Sequence, residues 1–246
     1  MRIVLMGLLL AQVVMQADIL KVEAGGGLWF QKTLGLIHYQ EDPIPVDMDQ
    51  DFNAAQTKDY YLWAFVKHPV PMLPNMRVEY TATKQEGASG TGLGFGGFST
   101  PGVTNDYTLA LDQLDVALYY NVLDNLFWLT LDVGVDGKWI NSKYDTVTDA
   151  DKISQFIPML YTRMRAQVPT SGFGAEAEIK YILYKNSSLS DIIVKCDYTF
   201  DMTVVDPSIE VGYRYESVDF DGDDFSSSIT SDAKLSGLFV GVALRF

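Results

Sequence analysis

Apolar and polar residues alternate along most of this chain in runs of about ten or more, the period of strands whose two faces meet different surroundings. From Phe127 to Lys138 the odd positions Phe127, Leu129, Leu131, Val133 and Val135 are apolar, with Thr130, Asp132, Asp136 and Lys138 between them. Phe173, Ala175, Ala177, Ile179, Tyr181 and Leu183 interleave in the same way with Glu176, Glu178 and Lys180, and Ile209, Val211, Tyr213 and Tyr215 with Glu210, Arg214 and Glu216. Such strands fit either a soluble sandwich with its charges in water or a barrel with its apolar face in lipid. Reading every run predicts ten strands, near 18–31, 58–67, 76–86, 107–120, 126–140, 155–168, 172–185, 191–200, 208–219 and 233–246. The parity of the second strand stays open, because Tyr60, Leu62, Ala64 and Val66 on one face and Tyr61, Trp63 and Phe65 on the other are all apolar.

The connections separate the two architectures. Those after the first, third, fifth and ninth strands read as long and polar, whereas His68 to Asn75, Asn121 to Asn125 and Pro169 to Ser171 are compact, and Asn186 to Ser190 reads as a short surface loop. Short turns at one end and long loops at the other mark an outer-membrane barrel, and an even strand count returns the chain to the side where it began. The last run places Leu238, Val240, Val242, Leu244 and Phe246 on one face and Gly241, Ala243 and Arg245 on the other. That pattern is similar to the insertion signal of barrels handled by the outer-membrane assembly machinery. The expected fold is all-β, a transmembrane antiparallel up-and-down β-barrel of about ten strands.

Arg2 followed by the apolar run Ile3 to Val14, with no acid before Asp18, reads as a secretory signal peptide ending at Ala17. The run is shorter than the roughly 20 residues a spanning helix needs. The expected organisation is therefore a signal peptide at 1–17 and a barrel at 18–246, exported to the outer membrane of a Gram-negative bacterium. Cys196 stands alone, which excludes an internal disulfide. The formal net charge of −14 makes nucleic acid an improbable partner.

The mature chain resembles a family of Gram-negative outer-membrane β-barrel proteins through ADILKVEAGGGLWF, HPVPMLPN, LDVALYYNVLDN and EVGYRYE. The resemblance implies the fold; it brings no catalytic residues and no cofactor.

With the apolar faces outward, nine cations are expected inside: Lys21, Arg77, Lys138, Arg163, Arg165, Lys180, Lys195, Arg214 and Arg245. Ten carboxylates join them, namely Glu23, Glu79, Asp115, Asp132, Asp136, Glu176, Glu178, Asp197, Glu210 and Glu216, for an inward sum of −1. Long side chains of opposite sign in a narrow cylinder satisfy one another, since an unpaired charge in a partly dry interior is costly, so a plugged lumen is expected. The remaining acids fall in loops, turns and strand ends. Asp219, Asp221, Asp223 and Asp224 in DFDGDD supply oxygen ligands but lack the length and closing Glu of a calcium loop, so a solvated acidic loop is the reading and a metal site only a weak candidate. GLGFGG at Gly92 to Gly97 formally matches a dinucleotide fingerprint, yet no helical period follows it. His38 and His68 lie in connections, away from any strand that carries a Ser and an acid, so no catalytic residue is assigned. Phe30, Tyr120, Phe127, Phe173, Phe200 and Phe246 fall near strand ends, where interfacial girdles form.

The expected role is structural or surface-interacting, with acidic loops turned outward toward an unidentified surface ligand; a narrow channel for small solutes or ions is the first alternative and an outer-membrane hydrolase the second. The expected partners are outer-membrane lipid, lipopolysaccharide and, during insertion, the barrel assembly machinery.

Overall fold

The computed structural model of the chain describes residues 20–39, 46–47, 56–70, 72–89, 94–95, 98–99, 105–126, 128–146, 150–221 and 229–246. They form β1 (Lys21–Tyr39), β2 (Val46–Asp47), β3 (Thr57–Lys67), β4 (Asn75–Ser89), β5 (Gly94–Phe95), β6 (Phe98–Ser99), β7 (Asn105–Leu126), β8 (Leu129–Thr146), β9 (Ala150–Gln167), β10 (Phe173–Tyr184), β11 (Ser187–Thr199), β12 (Asp206–Phe220) and β13 (Ile229–Arg245). The ten long strands lie side by side in chain order, each antiparallel to the last, until β13 pairs with β1 and closes the ring. The fold is thus the expected ten-stranded up-and-down barrel. β2 adds briefly to β1, while β5 and β6 make a two-stranded piece of their own inside the glycine-rich stretch. The signal segment 1–17 lies outside the described residues.

The pairing fixes the geometry of the wall. From Leu28 the ladders lead through Tyr60, Ala82, Asp112 and Asn141 to Ser154 of β9. In the other direction they lead through Val240, Val211, Cys196 and Ala175 to Ala166 of the same strand. The arrivals are twelve residues apart, the stagger of the closed barrel. Ten strands with that stagger tilt by about 40° and hold the wall at a radius of about 10 Å. Closure depends on glycine where β1 meets β13: a Cβ on Gly27 would stand 2.1 Å from the Val240 carbonyl oxygen, and one on Gly237 1.9 Å from that of Phe30.

Alternation decides which face meets lipid. Val133, Val135, Phe173, Ile179, Tyr181, Leu183, Ile209, Val211, Tyr213, Leu238, Val240, Val242, Leu244 and Phe246 are exposed on the outside, and the open parity of β3 resolves with Tyr61, Trp63 and Phe65 inside and Tyr60 and Leu62 outside. Aromatic rings bound this apolar band. At the end carrying residue 20 and Phe246, Phe173, Tyr198 and Phe200 sit ring to ring at 4.8 and 5.0 Å, beside exposed Tyr120 and Trp128. At the loop end, Trp139 meets Phe156 at 4.7 Å and Tyr60 meets Tyr80 at 6.1 Å. The strand rise and tilt separate the two belts by about 20 Å, close to the roughly 25 Å apolar band of a membrane barrel.

The strands run further toward the loop end than their hydrophobic pattern predicts. β1 continues to Tyr39, β7 begins at Asn105, and β8 and β9 extend to Thr146 and from Ala150, so the connection after the fifth long strand is short where a long loop was expected. Backbone ladders run through these extensions, because polar residues can form a ladder in water as well as in lipid. The expected turn Asn121 to Asn125 is instead paired strand, with register shifts after Asn121 and Leu123. The rim is uneven as a result. The β10–β11 hairpin closes low, through Lys185 at φ 52° and Asn186, while β7, β8 and β9 stand above it. The last residue of β9 paired to β10 is Leu160, and Pro158, two residues beyond it, has no N–H to extend that ladder.

Candidate functional site

The interior is the candidate site, and it is filled from wall to wall. Among the described residues nine cations and thirteen carboxylates have inward positions that are buried or half-buried, an acid excess larger than the expected −1. They fall into two tiers. In the tier nearer the termini, Arg163 Nη1 donates to Asp132 Oδ2 at 2.7 Å and Nη2 to Glu176 Oε2 at 2.8 Å. Arg165 holds both oxygens of Asp197 at 2.8 and 2.9 Å, and its Nη1 also reaches Glu176 at 3.3 Å. Lys195 Nζ bridges Glu210 at 2.9 Å and Glu176 at 3.3 Å, and Arg245 joins Glu23 at 3.2 Å to Asp197 at 2.9 Å. Asn121 also donates to Asp132, and Arg245 to Thr199.

The second tier lies deeper, toward the loop end. Lys138, fully buried, has Asp191 at 3.0 Å and Asp115 and Glu216 both at 3.3 Å, and donates to Gln113 Oε1 at 3.0 Å. Lys180 lies 3.2 Å from Asp115, 3.5 Å from Glu178 and 3.9 Å from both Glu79 and Asp191. Arg214 clamps Asp191 with Nε at 3.0 Å and Nη2 at 2.7 Å, and reaches across to Glu79 at 3.0 Å and Thr81 Oγ1 at 2.9 Å. Arg77 ties Glu79 at 3.2 Å to Glu178 at 3.1 Å.

An aromatic layer binds the tiers together. Trp63 has the Arg77 guanidinium 4.8 Å from its ring centroid and the Lys195 ammonium 4.6 Å from it, so one indole serves a cation of each tier. Phe65 carries Arg163 at 4.9 Å and stacks on Tyr119 at 5.7 Å, and Tyr119 meets Tyr161 at 5.6 Å. Tyr61 and Trp63 both donate to Glu210 Oε1, at 2.8 and 3.2 Å. Above the second tier the mouth is closed differently on its two sides. Ile157, Met159 and Leu189 pack with Ile140, Ile182 and Val218 on β8 to β12, and Gln31, Thr33, Thr57 and Asp59 form a hydrogen-bonded cluster on β1 and β3. A cavity of about 20 Å³ remains among Trp29, Tyr61, Trp63 and Phe239, room for one water.

The structure brings together all but one of the inward charges read from the sequence. Lys21 is the exception: it stands exposed at the first residue of β1, level with Lys67 across the ladder, and the wall ends before it can be enclosed. Asp136 is buried, but neither of its carboxylate oxygens has a hydrogen-bond partner among the described residues. Four charges were missed, among them Asp206, which opens β12 opposite Arg245. Asp191, the acid shared by Lys138, Lys180 and Arg214, opens a predicted strand and has the parity of Lys195 and Asp197, a signal sufficient to find it. Asp59 and Lys67 share the inward face of Tyr61, Trp63 and Phe65, which the doubly apolar run concealed.

Among the described residues, the weak metal candidates Asp219 and Asp221 belong to no cluster that could hold a metal. Asp219 is exposed opposite Ser188 and Asp232, the Asp221 N–H donates to Ser187 at 2.9 Å, and Asp223 and Asp224 lie outside the described residues. His68 is tied into its own turn, with Nε2 3.0 Å from the Pro74 carbonyl and Nδ1 accepting from Val70 N–H at 3.2 Å.

A closed antiparallel ladder with a lipid-facing apolar band and a charged interior defines a transmembrane β-barrel of the outer-membrane type. No family model matches the chain, and no curated protein does. Among solved structures it is similar to the outer membrane protease OmpT from Escherichia coli, at 10% identity over 94% of this chain and 97% of that one with a TM-score of 0.47. The translocator domain of the autotransporter NalP from Neisseria meningitidis is similar at 13% identity over 100% and 96%, TM-score 0.46. Ail of Yersinia pestis is similar at 8% identity over 93% and 100%, TM-score 0.37.

Proposed function

We propose that this protein is a structural, surface-presenting barrel of a Gram-negative outer membrane, exported through a cleaved signal peptide and sealed by its own interior. The carrying observation is the pair of ionic tiers: every cation in them contacts at least one carboxylate within 4 Å, and aromatic rings fill the layer between. A solute would have to separate those charges at the full cost of leaving them unpaired in a dry interior. Support for reading the rim that holds residue 20 and Phe246 as periplasmic comes from the opposite rim, which carries the longest connections, those between β1 and β3, β4 and β7, and β12 and β13. The role is non-enzymatic. Support for this comes from the interior cations and acids, which are spent on one another, and from His68, whose ring nitrogens are engaged in a turn.

Planar-bilayer recording on purified protein tests the reading. The expected result is no steady conductance of porin size, and such a conductance would overturn the sealed barrel in favour of a channel.

A further inference from the structure

Exposed cations are distributed unevenly over the wall. Apart from Lys21 at the periplasmic rim, those whose exposure the structure describes are Lys32, Lys58, Lys84, Lys185 and Lys234, and all five stand toward the outer end. Four of them occupy the adjacent strands β13, β1, β3 and β4, on the lipid side of the alternation. One or two outward positions nearer the midplane, the same strands carry Leu238, Phe30, Tyr60 and Tyr80. Lys58 faces Phe30 in register, Lys234 faces Leu34, and the Lys58 ammonium lies 5.9 Å from the Phe30 ring centroid, its stem on the apolar band and its charge at the edge. With the rise and tilt of this barrel, the four Cα positions fall within about 5 Å of one level and span an arc on the order of 15 Å. Acids bound the arc on both sides, Asp112 on β7 and Asp219 on β12, and within it Asp232 lies 3.3 Å from Lys234.

We propose that Lys32, Lys58, Lys84 and Lys234 form a binding surface for the phosphate-bearing headgroups of outer-leaflet lipid. The location selects the partner. The lysines begin where the apolar band ends, so acyl chains lying against Leu28, Leu62 and Leu238 bring their headgroups to this level. Ammonium groups at a headgroup plane gain from anionic lipid, each adding to the attraction. In a chain of formal net charge −14, a cluster of cations on the outward wall offsets the repulsion an acidic protein would meet from an anionic leaflet. The proposal rests on the membrane orientation given above but not on the sealed lumen, so a conducting barrel would leave it standing.

The test uses the full barrel in non-ionic detergent, titrated with bisphosphorylated lipid A and, in parallel, with the same lipid after removal of its phosphates; occupancy is read by native mass spectrometry. The triple variant Lys32→Gln, Lys58→Gln, Lys84→Gln is compared with a charge-matched control, Lys143→Gln, Lys152→Gln, Lys185→Gln. The arc variant is expected to bind the phosphorylated lipid about tenfold more weakly or worse, the control to stay within about threefold, and the dephosphorylated lipid to bind all forms alike. The arc variant with arginine in place of glutamine keeps parental affinity, which guards against a folding defect. Inorganic phosphate in the same buffer does not displace the lipid. A smaller loss in the arc variant, an equal loss in the control, failure of the arginine variant to bind, or displacement by free phosphate overturns the proposal.

Discussion

Replacing Lys138 by methionine removes the cation at the centre of the outer tier while keeping its volume. Three carboxylates lie within 3.3 Å of its ammonium, and they are not equally exposed to the loss. Asp191 retains Arg214 at 2.7 Å, and Asp115 retains Lys180 at 3.2 Å. Glu216 has no other ion pair among the described residues and keeps only the Gln113 amide at 3.0 Å. Removing one partner of a buried pair costs about 3–5 kcal/mol, and the partial rescue of two acids puts this variant near the lower figure, about 3 kcal/mol. At a urea slope of about 2 kcal/mol/M the unfolding midpoint falls by about 1.5 M. Adding Glu216→Gln removes the stranded charge and should restore about half of the loss. The assay is urea unfolding of the detergent-folded barrel followed by tryptophan fluorescence. A midpoint within about 0.2 M of the parent would refute the reasoning, because water would then be solvating these carboxylates and the lumen would not be dry.

Asp136→Asn, in the same assay, is expected to leave stability unchanged or raise it by about 1 kcal/mol, since it discharges a buried carboxylate that has no hydrogen-bond partner among the described residues; a loss of stability would count against that account. Gly27→Val should block the closure of β1 on β13 and abolish the compact, heat-modifiable band on gels, whereas Gly27→Ala should retain a fraction of it. Phe246, whose N–H donates to the Val22 carbonyl at 2.9 Å, projects into the terminal belt. We predict that Phe246→Ala lowers the amount of assembled barrel in the outer membrane of cells while the purified variant refolds in detergent as the parent does; equal loss in both settings would show a stability defect and not an insertion one.

The ten strands were legible because a two-environment wall imposes a period of two on every segment, and side-chain parity followed directly wherever one face was charged. Parity failed in β3, where Trp63 and Phe65 belong inside although their neighbours Leu62 and Ala64 are equally apolar. With the parity of that strand open, the charges could be read and the aromatic layer between them could not. The ion pairs across the lumen, such as Arg214 with Glu79, depend on the twelve-residue stagger of the closed ring, a property of the register of ten ladders together and of no single segment. Strand lengths beyond the lipid were unreadable for a similar reason: once both faces meet water, the alternation that announces a strand disappears while the backbone hydrogen bonds persist.

The proline at position 158 gives the uneven rim a further property. Where the β10–β11 hairpin stops low, the flank of β9 would otherwise offer an uninterrupted row of amides to any extended chain that drifted past, including the matching flank of a neighbouring barrel. A ring lacking an amide hydrogen, set two residues above the final rung, breaks that row at its base. The taller side of the cylinder can thus rise out of the lipid without becoming a template for growth.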